Sequence, residues 1–172
     1  NKVPAILNMF LTGQAGGSAV CDILFGDVNP SGKLSETYPL ALEDNSSYNY
    51  FPGTPVSVEY REGVYVGYKY YDTAKKEVAF PFGFGLSYTT FEYSDIKVSA
   101  DSIKDTDTVT VSFKIKNTGS VDGAEVAQVY VTDNESTIYR PKQELKGFKK
   151  VFLKAGEEKE ISIEPDKRSF AY

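Results

Sequence analysis

From residue 91 onward, apolar and polar positions alternate every second residue, the repeat of a strand with one buried face. In residues 108–116, TVTVSFKIK, Val109, Val111, Phe113 and Ile115 point one way while Thr110, Ser112, Lys114 and Lys116 point the other. This predicts a half-buried antiparallel strand, followed by a turn at Asn117-Thr118-Gly119. Residues 124–131, AEVAQVYV, follow the turn pair Asp122-Gly123 and are apolar on both faces, which predicts a strand covered on both sides. Further strands are expected at residues 144–153 and 158–164, split by Ala155-Gly156, with an earlier one through Ile96 and Val98 and a last one beginning at Arg168. Short strands at this spacing predict an immunoglobulin-like or fibronectin type III-like sandwich, which has about seven strands. The chain is therefore expected to stop before the last strand is complete.

The pattern before residue 91 differs. Residues 3–10, VPAILNMF, form an apolar run that predicts a short buried strand. Gly13, Gly16 and Gly17 permit a tight strand-to-helix turn, residues 18–25 predict a short helix, and Gly26 is a C-terminal stop. Cys21 sits among Ala19, Val20, Ile23 and Leu24, so it is expected to be a small buried residue. Asn29-Pro30 and Ser31-Gly32 then signal a turn. A lone strand and helix of this kind read as the tail of a larger α/β domain. Residues 38–60 have no sustained period and are rich in Pro, Ser, Asn and Tyr, as an extended connector would be.

Composition narrows the chemistry. The net charge of −5 and pI near 4.9 argue against a nucleic-acid partner, which needs a clustered basic surface. No apolar run approaches the ~20 residues a bilayer-spanning helix needs, so no membrane partner is expected. Histidine is absent and there is one cysteine. That excludes Ser/His/Asp and Cys/His nucleophile systems and leaves no zinc or transition-metal ligand set. No cofactor is expected either: GQAGGS at residues 13–18 lacks the spacing of a dinucleotide fingerprint and the Lys-Ser/Thr ending of a P-loop. Asn45-Ser46-Ser47 and Asn134-Glu135-Ser136 match glycosylation sequons, a pattern too common to fix a compartment.

Residues 48–91 hold 13 of the 24 aromatic residues, Tyr65, Tyr68, Tyr70, Tyr71, Phe80, Phe82 and Phe84 among them. Tyrosine suits both a partly wet domain interface and a sugar-stacking platform. The absence of Trp favours the interface.

Four blocks occur in a fixed order: GQAGGSAVCDILFGDVNPSGKLSETYP at 13–39, YREGVYVGYKYYD at 60–72, FPFGFGLSYTTFEYS at 80–94 and ELKGFKKVFLKAGEEKEISIE at 144–164. Together they resemble the C-terminal part of glycoside hydrolase family 3 enzymes of the β-glucosidase type, over nearly the whole chain. The resemblance implies a parent enzyme with a (β/α) barrel, an α/β sandwich domain and a fibronectin type III-like domain, its active site lying between the first two. Residues 1–40 would be the end of the α/β domain, 41–90 the aromatic-rich connector and 91–172 the fibronectin-like domain, expected to lack its last strand. The nucleophilic Asp of the family lies in the barrel and the acid/base Glu upstream of the GQAGG block, both outside this chain.

Retaining glycoside hydrolysis needs two carboxyl groups about 5 Å apart. Glu59, Glu62 and Asp72 are the local candidates in the aromatic segment, but solvated or hydrogen-bonded loop carboxylates are the expected reading, and no catalytic, cofactor-binding or metal-binding residue is assigned. The chain is thus expected to be a non-catalytic piece of a hydrolase of β-glucosides or related oligosaccharides, partnered by the barrel and the rest of the α/β domain. The alternative is a free-standing β-sandwich module that binds a carbohydrate or protein partner. Unpartnered strands at either end also raise the expectation of a homo-oligomer or domain-swapped dimer.

Overall fold

The computed structural model describes residues 3–104 and 107–171. Its most regular part is the predicted β-sandwich. Strands β3 (Phe91–Val98), β4 (Val111–Asn117) and β7 (Glu158–Ile163) form one antiparallel sheet in the order β3–β4–β7, and β5 (Gly123–Val131) pairs with β6 (Glu144–Leu153) in a second. The register sets Phe113 opposite Ile161 and Val111 opposite Ile163, so the apolar faces of β4 and β7 coincide. Between the sheets lie Phe113, Ile115, Ala127, Val151, Leu153, Ile161 and Ile163, with Ile115 and Leu153 wholly buried. Period-two alternation places these side chains on one face, and burying them is the main stabilising contribution.

The strand expected from Arg168 is instead a turn of 3-10 helix, Lys167–Phe170. Ser169 donates from its backbone to the Asp166 carbonyl at 2.9 Å and from its hydroxyl to the Asp166 carboxylate at 2.8 Å. Such local side-chain bonds compete with a strand ladder and here replace it.

At the other end, helix α1 (Gly16–Phe25) begins two residues before the expected start. Gly26 closes it as predicted, with φ +84° and its N–H bonded to the Ile23 carbonyl. The expected buried strand at residues 3–10 is not formed. This stretch has no ladder partner among the described residues, bends at Pro4 and has Phe10 at φ +45°, and Val3, Ile6 and Phe10 are exposed. A strand exists only through its pairing, so an apolar run without a neighbour stays irregular. Cys21 is likewise exposed rather than buried, because α1 is only partly covered, at Gly16, Val20 and Ile23, and buries none of its residues fully.

The connector is more structured than its composition suggested. Strands β1 (Tyr38–Pro39) and β2 (Val78–Phe80) pair antiparallel, and a seven-residue helix α2 (Tyr68–Ala74) stands between them. Gly67 at φ +59° turns the chain into α2 and Lys75 at φ +53° ends it. Helix α2 and the loop after β2 lie against the outer face of the β5–β6 sheet, so β5 is covered on both sides as predicted.

Candidate functional site

The densest polar constellation lies where the connector meets the sandwich. Helix α2 presents Tyr68, Lys69, Asp72 and Thr73 on one side, the spacing that groups residues on a helix face. All four engage the start of β6 and the loop before it. The Leu145 N–H donates to the Tyr68 hydroxyl at 2.8 Å, and the Lys69 ammonium donates to Glu144 Oε1 at 2.6 Å. The Gln143 amide donates to Asp72 Oδ2 at 2.9 Å and the Lys142 N–H to Thr73 Oγ1 at 2.9 Å.

A second set joins residues 81–88 to β5. The Tyr68 ring stacks on Phe82 with centroids 4.5 Å apart and meets Tyr130 edge-on at 6.0 Å. Gln128 donates to the Gly83 carbonyl at 3.2 Å and accepts from the Tyr130 hydroxyl at 2.6 Å. Gly83 has φ +78°, and a Cβ there would meet Gln128 Oε1 at 2.3 Å, so only glycine permits this approach. Burial raises the Tyr130 hydroxyl above its ordinary pKa, keeping it a donor at neutral pH.

A third set reaches back to residues 29–34. Lys33 pairs with Glu125 Oε2 at 3.0 Å and donates to the Gly85 carbonyl at 2.9 Å, while the Tyr93 hydroxyl donates to Glu125 Oε1 at 3.1 Å. Lys33 and Glu125 are largely covered, with side chains 17% and 13% exposed, so the pair works in a medium of reduced dielectric. Burial, with the Glu125 charge adding to it, raises the Tyr93 pKa strongly. Asn29 donates to the Asp122 carbonyl at 2.9 Å and accepts from the Ser87 hydroxyl and the Tyr88 N–H. Sequence reasoning read residues 29–32 as a turn and missed Asn29 and Lys33 as links between distant segments. Glu125 carried a signal: it is the one charged residue of β5, a mostly apolar strand.

Glu144 is the electrostatic centre of the α2 contact. Oε1 takes the Lys69 ammonium, Oε2 takes Arg140 at 2.9 Å, and Lys146 lies 3.5 Å away. The Lys69 hydrogen bond above all, then the charges of Lys69 and Lys146 and a bond from Arg140, hold its carboxyl at a pKa of about 2, against an ordinary 4.5. A folded-state pKa depressed in this way adds stability above the unfolded value, and that stability is lost as pH falls from 4.5 through about 2. Glu144→Gln is therefore expected to be about 2 kcal/mol less stable than the parent chain at neutral pH, with the gap narrowing at about pH 3. Urea unfolding at both pH values measures it; a gap independent of pH contradicts the assignment.

The three carboxylates singled out from the sequence are not gathered. Glu59 is exposed and paired with Arg61, whose guanidinium lies over the Tyr50 ring at 5.8 Å. Glu62 accepts from the Ser46 hydroxyl, and Asp72 belongs to the α2 contact. Among the described residues, no group of three or more His, Cys, Asp or Glu side chains is placed to hold a metal ion. No helix among them is long and apolar enough to cross a membrane.

Comparison with known proteins fits this geometry. A model of the glycosyl hydrolase family 3 C-terminal domain matches residues 1–88, and one of a fibronectin type III-like domain matches residues 125–172. This chain belongs to glycosyl hydrolase family 3. The α2 and Gly83 contacts therefore run between the family 3 C-terminal match, which includes α2 and Gly83, and the fibronectin-like match, which includes Gln128 and Glu144. The chain is 55% identical over its full length to thermostable β-glucosidase B of Acetivibrio thermocellus, covering 23% of that protein. It is 49% identical over 97% of its length to an exo-α-(1→6)-L-arabinopyranosidase of Bifidobacterium longum, covering 22% of it. Among solved structures, the family 3 β-glucosidase of Bifidobacterium adolescentis superposes with a TM-score of 0.86 at 51% identity, over 93% of this chain and 23% of that one. The chain thus spans under a quarter of the length of these relatives, and its resemblance to family 3 was already legible in its sequence blocks.

Proposed function

We propose that this family 3 chain is a non-catalytic C-terminal portion of a β-glucosidase-like hydrolase, and that it braces the catalytic domains of the parent enzyme. The observation that carries this reading is the bonding of α2 to residues 142–145, which fixes the connector on the sandwich through four side chains. The separate engagement of Glu59, Glu62 and Asp72 supports it, since retaining chemistry needs two carboxyl groups facing one bond. The exposed apolar residues of the N-terminal segment and α1, such as Ile6, Phe10, Leu24 and Phe25, suit a surface that other parts of a larger enzyme cover. Relatives named for different sugars are each about half identical to this chain over nearly its whole length, as a common brace would be.

In the full-length hydrolase, Tyr68→Phe with Lys69→Met removes two of the four α2 bonds. Thermal inactivation, followed by aryl β-glucoside turnover, is expected to become about tenfold faster with KM unchanged. An unchanged half-life contradicts the bracing role, and a shifted KM with an unchanged half-life assigns α2 to substrate binding instead.

A further inference from the structure

The two sheets of the sandwich are unequal. Among the described residues, three strands, β3–β4–β7, face two, β5–β6. Contacts between the sheets fix which strand has no counterpart: Gly147 of β6 lies against Ile163 of β7, while the Tyr93 hydroxyl of β3 reaches across to Glu125 of β5. The space over β3, beside β5, is therefore left open. Exposure agrees: Tyr93 stands opposite buried Ile115, and Val98 opposite Val111, which packs on the core, so both lie on the inner face. Yet they are 48% and 53% exposed.

Four strand edges bound these sheets, and three are blunted. β3 breaks register between Ser94 and Lys97, with Asp95 at φ +55°, and β7 carries Glu158, Lys159 and Glu160 in succession. β6 carries Lys146, Lys149 and Lys150, with Lys146 as the extra residue where the register shifts between Val129 and Tyr130. Charges and bulges of this kind keep an edge from pairing.

Strand β5 has neither safeguard. Its nine residues run without an extra residue of their own and carry one charge, Glu125, which Lys33 neutralises. On the side away from β6, its backbone has no hydrogen-bond partner among the described residues. A regular edge without net charge, beside an uncovered inner face, is built to take up a further strand.

The residues of β5, GAEVAQVYV, suit pairing with themselves. Antiparallel pairing about a two-fold axis at Ala127 uses all nine, setting Glu125 opposite Val129, Val126 opposite Gln128 and Ala124 opposite Tyr130 of the second copy. No like charges meet. The contact is isologous, so it closes as a dimer instead of growing into a fibre.

We propose that the open edge of β5 is an interface with a second copy of this chain, the two β5 strands joining antiparallel into one continuous four-stranded sheet. The added strand lies over β3 and covers Tyr93 and Val98. This interface does not depend on the bracing role.

The test uses the full 172-residue chain. Sedimentation equilibrium over a series of concentrations is expected to show a monomer–dimer equilibrium, and the amides of residues 123–131 to gain hydrogen-exchange protection as the dimer forms. Val126→Lys with Gln128→Lys sets like charges opposite each other across the axis and should weaken the dimer about tenfold. Val126→Glu with Gln128→Lys sets opposite charges there and should restore it. Amide spectra matching the parent chain at low concentration show that both variants are folded. Ile6→Lys with Phe10→Lys, in the exposed N-terminal segment, should leave the dimer unchanged. A monomer at every concentration, open-ended aggregates, a dimer without protection of β5, equal weakening by both charged variants, or a dimer lost on changing Ile6 and Phe10 overturns the proposal.

Discussion

Asn117→Ala is expected to remove about 3 kcal/mol of stability, the largest single loss from any polar side chain among the described residues. Asn117 is wholly buried at the end of β4. Its Oδ1 accepts from the Thr89 hydroxyl at 2.6 Å and the Gly119 N–H at 3.1 Å; its Nδ2 donates to the Val121 carbonyl at 2.8 Å and the Leu153 carbonyl at 3.2 Å. Those four partners come from the end of the connector, the β4–β5 turn and the end of β6, so one amide ties both sheets to the segment that enters them. Alanine would take the partner from the Thr89 hydroxyl, the Gly119 N–H and two carbonyls, at about 1–3 kcal/mol for each group left buried and unmade, less at the exposed Val121 and wherever relaxation recovers a bond. The turn has little room to relax: a Cβ on Gly119 would meet the Thr89 hydroxyl at 2.2 Å. Urea unfolding with an unchanged denaturant slope measures the loss. A loss under about 1 kcal/mol would show that the amide is replaceable by water.

The role of Asn117 also marks the limit of what the sequence discloses. Asn-Thr-Gly reads correctly as a turn, because local backbone preference is written in three adjacent residues. The partners of the side chain come from residues 89, 121 and 153, and no local pattern encodes such a meeting. The same distinction runs through the fold. Alternation in residues 108–116 located β4 and its buried face, since burial in a sheet imposes period two. The expected strand at residues 3–10 failed because an apolar run signals a need for burial without supplying the neighbour. Cys21 failed for the same reason, on a helix whose partly covered side, Gly16, Val20 and Ile23, does not include it. Helix α2 was missed because seven aromatic-rich residues between two left-handed turns carry too few repeats to show a period. Of the aromatic segment, the interface reading holds for Tyr68 and Phe82, which pack with Tyr130 where connector and sandwich meet, whereas Phe51 and Tyr60 are exposed. Its polar links, Lys33 to Glu125 and Lys69 to Glu144, were not, because each joins residues far apart in the chain.

The purified chain is expected to show no turnover of aryl β-glucosides. Enzymes accelerate such reactions by about 10⁶-fold or more, and for retaining glycosidases that acceleration depends on a nucleophilic carboxylate and a proton-donating carboxyl set across one bond. Here Glu59 is held by Arg61 in an exposed loop, Glu62 by Ser46, and Asp72 by Gln143 inside the α2 contact. Asp72 also accepts from Gln143 in the α2 contact, so its removal is expected to weaken that contact.

Release of nitrophenol from an aryl β-glucoside by the isolated chain, beside its Glu59→Gln, Glu62→Gln and Asp72→Asn variants, tests the account most directly. The account predicts that all four preparations match the buffer control. Turnover by the parent chain that disappears in any one variant would place the reacting carboxylate here and contradict it.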